Sequence, residues 1–302
     1  MKPHSTPRPE HSLPRLITLL LLLLLLCAAG AAHADGKHSL WRVSKGSQVM
    51  YLAGSIHVLR PQDYPLPEPM ETLFRSCAGL VEEVDLTHYD AEAAQLQVIR
   101  IGGYPPGKSL KTELPPDIYR RVSELAARQH VDMADVESMR PWLASITLLE
   151  RQLTQEGFDP TSGVDIHFAD AAEAHHKPVI GLEKPEYQLD LLAKLPEKAQ
   201  QDMLLQTLDD TADLKSDMGA LMAAWRSGDT AAMEKELKEE FAPYPDVYKT
   251  VLVERNRAWV PKLESLAMSG KQYFVVVGAL HLVGPDGLLA RFQKDGFKVE
   301  QL

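Results

Sequence analysis

Cysteine is almost missing from this chain: 302 residues hold two, Cys27 and Cys77. Cys27 falls in an N-terminal leader, so the body keeps Cys77 alone. An internal disulfide is thereby excluded, as is a cysteine-based zinc site. Positive charge is also short. Against 42 acidic residues stand 32 basic ones, a net charge of -10, which argues against broad attraction to nucleic acid or an anionic membrane. A mean hydropathy of -0.20 excludes a polytopic membrane protein. Several catalytic and cofactor signatures are absent as well: no G-x-S-x-G, no H-E-x-x-H, no P-loop, no G-x-G-x-x-G and no C-x-x-C-H. A nucleophile elbow, a zincin helix, a nucleotide cradle and covalent haem are not expected.

The one long apolar run is Leu16 to Leu26. It is preceded by Lys2, Arg8 and Arg15 and followed by Ala32-His33-Ala34. A basic start, a short apolar middle and small residues before a polar stretch predict a secretory signal peptide over residues 1–34, cleaved before Asp35. Removing its net +2 takes the charge from -10 to -12. The expected location is the periplasm or outside the cell, with no stable membrane insertion after cleavage.

The remaining chain, 35–302, reads as one domain. Leu40–Val43 and Gln48–Leu52 form a hairpin around Lys45-Gly46. A proline-rich loop follows, then a helix over Met70–Ser76 and a strand over Gly79–Leu86. Helical periodicity runs from Ala91, with helices after Pro115-Pro116, from Pro141 to about Leu153, and from Gly163 to His176. Val179–Leu182 reads as a short buried strand ending at Glu183. A helical insertion is expected over about 185–270. Phe274–Val277 is an apolar strand, Pro285–Lys294 a helix and Phe297–Leu302 a last strand. Strands at both ends with helices between predict an α/β or α+β fold with a central mixed sheet.

One motif occurs twice. Tyr51-Leu52-Ala53-Gly54-Ser55-Ile56-His57 is an apolar strand entering G-x-x-H, and Val275-Val276-Val277-Gly278-Ala279-Leu280-His281 repeats it. Each copy is followed by a proline-containing loop, a helix and a strand, so the chain carries a β-loop-α-β unit at each end. Glycine at a strand end allows a close approach of the backbone. That end is where ligands bind in open α/β sheets. His57 and His281 are thus expected to share one site. Glu82 and Glu83, adjacent on a strand, must face opposite sides. Arg255 and Asn256 read as a solvated helix face, Asp165 as a residue of a helix first turn, and Trp142, Trp225 and Trp259 as packing residues.

These segments together resemble the TraB/PrgY/GumN family, most of all its secreted GumN-like branch. The resemblance rests on Leu40-Trp41-Arg42-Val43, Gly54-Ser55-Ile56-His57, Tyr64-Pro65-Leu66-Pro67 and Leu80-Val81-Glu82-Glu83-Val84-Asp85. It continues through Gly163-Val164-Asp165, Lys177-Pro178-Val179-Ile180-Gly181-Leu182-Glu183, Glu254-Arg255-Asn256 and Gly278-Ala279-Leu280-His281. The wider superfamily implied includes the Tiki metalloproteases, erythromycin esterases and haem-binding ChaN proteins. The resemblance implies His57, Glu83, Arg255 and His281 as catalytic residues, with Gly54, Glu183, Asn256 and Gly278 beside them. It selects Glu83 over Glu82. The expected activity is hydrolysis of a peptide, an ester or a cell-envelope component, with water as nucleophile. In one version His57, Glu83 and His281 hold Zn, Mn or Co. In the other, a histidine is the base and Glu83 sets its tautomer. A ligand-binding protein, holding haem for example, or a regulatory scaffold of the same fold is the alternative.

Overall fold

The computed structural model describes residues 36–85, 87, 91–209 and 214–302. The leader, Leu86 and His88 lie outside them. The expected hairpin is present: β1 (Leu40–Lys45) pairs antiparallel with β2 (Gln48–Ser55). Gly46, at φ +61°, takes the left-handed turn conformation that suits glycine. After β2 come α1 (Glu68–Ser76), β3 (Gly79–Val84) and α2 (Ala91–Gly102). Then follow α3 (Pro116–Arg128), α4 (Pro141–Gln155), α5 (Val164–Ala174) and β4 (Val179–Glu183). The helical stretch holds α6 (Pro185–Ala193), α7 (Glu197–Asp209), α8 (Leu214–Ser227), α9 (Thr230–Phe241) and α10 (Glu254–Ala267). The chain ends with β5 (Tyr273–Gly278), α11 (Leu288–Lys294) and β6 (Lys298–Gln301).

The six strands form one mixed sheet in the order β4-β3-β5-β2-β1-β6. β4, β3, β5 and β2 are mutually parallel, and β1 runs against both β2 and β6. The two G-x-x-H strands, β2 and β5, are therefore adjacent and parallel, as the repeat requires. The return strands are not beside their own unit: β5 is interposed between β2 and β3, so the two β-loop-α-β units interleave.

β4 differs from its expectation. It is an edge strand, and only Leu182 in it is buried. An apolar run bounded by turns does not distinguish a central strand from a half-covered edge. α11 begins at Leu288, three residues after Pro285; the chain turns through Gly287 first, whose N–H donates to the Gly284 carbonyl.

Strand parity fixes what each face carries. Ala53, Val276 and Glu82 stand in one row across β2, β5 and β3. On that face lie α1 and α5, joined to the sheet by the rings of Phe74, Phe168 and Phe274. Glu83 points to the opposite face, where α10 delivers Arg255. Trp142, Trp225 and Trp259 are each fully buried, as expected of packing residues. Most of the helices over 185–270 join the same hydrophobic core as the sheet. Among the described residues no helix is long and apolar enough to cross a membrane.

Candidate active site

The carboxyl ends of β2, β3, β4 and β5 converge on one buried constellation. His57 follows β2, Glu83 lies on β3, Glu183 ends β4 and His281 follows β5. All four expected catalytic residues are nearly inaccessible: His57 at 5%, Glu83 at 3%, Arg255 at 6% and His281 at 3% of full exposure. The solvated face expected for Arg255 and Asn256 is thus corrected: both are buried. A five-residue π-helical turn, Lys249–Val253, leads straight into α10. Such wide turns recur at functional sites. Here the Val251 carbonyl accepts from Arg255 Nη1 at 3.2 Å.

Arg255 is the hub. Its Nη2 donates to Glu83 Oε2 at 2.5 Å and to Glu183 Oε2 at 2.9 Å. Nε donates to both Glu183 oxygens, at 3.2 and 3.1 Å. Nη1, besides Val251, meets His281 Nε2 at 3.2 Å. The guanidinium lies 4.7 Å from the Trp259 ring centroid. Every N–H-bearing nitrogen of the fork is committed inside the protein, so Arg255 has none left free to clamp a substrate carboxylate.

The His281 tautomer follows from its neighbours. Asn256 Nδ2 donates to the His281 and Asp286 carbonyls, both at 3.0 Å. That leaves Asn256 Oδ1 to accept from His281 Nδ1 at 2.7 Å. Nε2 therefore carries the lone pair and accepts a hydrogen bond from Arg255 Nη1. Burial, aided by the Arg255 charge and opposed by Glu83, brings the His281 imidazole down to about 3. It is neutral at physiological pH. The Trp259 ring covers it at 4.5 Å.

Glu83 also accepts the Gly278 N–H at Oε1, at 2.8 Å. Burial alone would raise its pKa. The Arg255 charge, helped by the two imidazoles and the Gly278 N–H, outweighs burial and brings it to about 2. Gln188, buried on α6, reaches Glu183 at 3.2 Å.

His57 bridges the two faces of the sheet. Its Nε2 stands 4.0 Å from Glu83 Oε1. Its Nδ1 lies 3.1 Å from Asp165 Oδ1, an ion-pair distance without the alignment of a full hydrogen bond. Asp165 Oδ1 also accepts the Ser55 hydroxyl at 2.9 Å. Burial works against the imidazolium, but Asp165 and then Glu83 overcome it, so the His57 pKa is raised. Asp165 belongs to the helix first turn as expected, but its carboxylate serves His57. Gly163, two residues before it, makes the approach possible: a β-carbon there would fall 2.5 Å from the His57 carbonyl and 2.7 Å from Asp165 Oδ1. Only glycine lets α5 start this close.

The two motif glycines have different duties. Gly54 lets β2 pack on Ala279, whose Cβ a side chain at 54 would meet at 3.0 Å. Gly278 lies where the reactive groups meet. A β-carbon there would lie 3.3 Å from His57 Nε2, 3.4 Å from Glu83 Oε1 and 3.5 Å from His281 Cδ2. Gln188 was missed by sequence reasoning, and Trp259, read there only as a packing residue, packs on His281 and Arg255; neither carries a motif.

A divalent cation does not fit these side chains as they are folded. The His281 lone pair and Glu83 Oε2 both face Arg255, and Glu83 Oε1 faces the Gly278 N–H. Among the described residues no three His, Cys, Asp or Glu side chains converge as ligands. The guanidinium stands where a cation shared by His281 and Glu83 would be. With both ring nitrogens engaged, His281 is also unavailable to haem iron.

The sheet order, the paired G-x-x-H strand ends and the buried His–Glu–Arg cluster define one class of protein. The model of the TraB/PrgY/gumN family matches residues 39–301, and the chain belongs to that family. Among curated proteins it is similar to uncharacterized protein YbaP of Escherichia coli (strain K12) and its namesake in Shigella flexneri. Each is 27% identical over 264 residues, covering 84% of this chain and 92% of the relative. No solved structure matches the chain.

Proposed function

We propose that the protein is a metal-independent hydrolase of the periplasm or cell exterior, with His57 as general base and water as nucleophile. One observation carries this reading. The His57 imidazole has a buried carboxylate at Nδ1, while its Nε2 faces the position that a side chain at 278 would fill. Asp165 orients the ring and favours the Nδ1–H tautomer, leaving Nε2 to take a proton from a water standing over Gly278. Glu83, held ionised, faces the same space and favours the imidazolium formed as the proton is taken. Arg255 supplies the one fixed positive charge within the buried cluster. Acting through its field rather than by direct contact, it offsets charge developing on a tetrahedral intermediate. The substrate class is a small molecule, peptide or envelope component with an ester or amide bond. The leucine-rich leader and its Ala32-His33-Ala34 end support the exterior location.

The test is a screen of p-nitrophenyl esters and fluorogenic peptides with the purified mature protein, with and without chelator. Turnover should survive the chelator. It should fall by on the order of 10²–10⁴-fold in His57→Gln, the usual worth of a general base. Turnover that needs added metal, or that persists in folded His57→Gln, overturns the proposal.

A further inference from the structure

Eight buried side-chain nitrogen and oxygen atoms among the described residues have no hydrogen-bond partner, and four of them belong to just three residues. They are both oxygens of Glu82, Oδ2 of Asp165 and Nδ1 of His57. Unpartnered buried polar atoms are rare enough that each needs an explanation. Glu82 is 2% exposed and serves no step of the hydrolytic reading.

Strand parity puts Glu82 and Asp165 on the same side of the sheet. Glu82 shares a row with Val276 and Ala53. Ser55, two residues beyond Ala53, points the same way and donates to Asp165. The register neighbours of Glu82 are Val276 and Gly181, neither able to pair with a charge. After burial, the groups acting on it most are Asp165 first, then Asp85, Glu83 and Asp170. All four are acidic. An isolated carboxylate among carboxylates, away from water, is the costliest state available to it, and holding a proton removes that cost. Consistently, its pKa is raised well above 4.5.

We propose that Glu82 is a positioning residue of the site: its carboxyl group donates a hydrogen bond to Asp165, and through Asp165 it tunes the basicity of His57. Oδ1 of Asp165 serves Ser55 and His57, while Oδ2 is the free acceptor. A donor there spreads the Asp165 charge and weakens its hold on the imidazolium. His57 then loses its proton more readily and is available as a base. The consequence for catalysis rests on reading His57 as that base, but the coupling itself is a property of the folded chain.

The experiment reads the imidazole directly. The protein is labelled with ¹⁵N-histidine, and the His57 signal is assigned by its loss in His57→Gln. Its titration is then followed in wild type, Glu82→Gln, Glu82→Leu and Glu82→Met. Gln keeps a donor without a proton to lose, so its midpoint should match wild type. Leu and Met remove the donor, and the midpoint should rise by about one pH unit as Asp165 regains its full pull. Two apolar variants guard against one failing to fold. Leu and Met midpoints equal to wild type, or a Gln shift as large as theirs, overturn the proposal. A protein that hydrolyses nothing leaves this titration readable, so failure of the hydrolase reading is seen separately.

Discussion

Replacing Glu83 by Gln keeps the side chain's shape and removes its charge. The structure fixes the size of the effect. Against burial, Arg255 at 2.5 Å, then the two imidazoles and the Gly278 N–H at 2.8 Å, bring the carboxyl from 4.5 to about 2. At about 1.4 kcal/mol per pKa unit, the fully buried carboxylate contributes about 3 kcal/mol to folding. The folded-state pKa is depressed, so this contribution is complete above pH 4.5 and is lost as pH falls from 4.5 toward 2. Glu83→Gln should therefore cost about 3 kcal/mol at pH 7, and the gap to wild type should close below pH 4.5. Its neighbour supplies a control of opposite sign. Glu82 has a raised folded-state pKa, so wild type loses stability as pH rises above 4.5. Glu82→Gln should therefore gain on wild type by up to about 1.4 kcal/mol per pH unit until folded Glu82 itself ionises. Urea unfolding followed by circular dichroism, from pH 3.5 to 8, measures both. Shifts of the same sign in the two variants, or a larger loss in Glu82→Gln at pH 7, would refute this electrostatic account.

Arg255→Met should be more damaging than either, by about 3–5 kcal/mol, because Glu83 and Glu183 are left buried without a counter-charge; thermal unfolding checks this. Asp165→Asn should lower the His57 pKa, shifting the acid limb of any pH–rate profile downward, since Asp165 is the largest charge raising it. His57→Ala and His281→Ala should each abolish the same activity, with a double variant scarcely worse than either single one. Simple addition of the two losses would place them in separate sites. Gly278→Ala should unfold within a few degrees of wild type while losing most turnover, because its methyl group enters the space bounded by His57 Nε2 and Glu83 Oε1.

The parts of this molecule legible in the sequence are those governed by local periodicity. The hairpin, the helical stretch and the two G-x-x-H strand ends all follow from patterns within about ten residues. The choice of Glu83 over Glu82 came from the family resemblance, while strand parity gave only their opposition. What could not be read depends on distant partners. Val179–Glu183 looks like a buried strand until its place at the sheet edge is known. Arg255 and Asn256 look solvated because their partners, Glu83, Glu183 and His281, are scattered over the chain. Asp165 has the signature of a helix first turn, and nothing near it announces a histidine 108 positions earlier.

The interposition of β5 also constrains the order in which the molecule is built. Tyr51 must wait for Phe274, and Trp41 for Gln301, before the sheet has a middle and an edge. The Leu302 carbonyl accepts the His38 N–H, and its own N–H donates to Leu40. A nascent chain therefore cannot complete the middle of its sheet until β5, residues 273–278, has been synthesised. Contacts this far apart make closure slow. The strand ends that carry His57 and Glu83 are therefore joined across the sheet only once β5 has arrived between them.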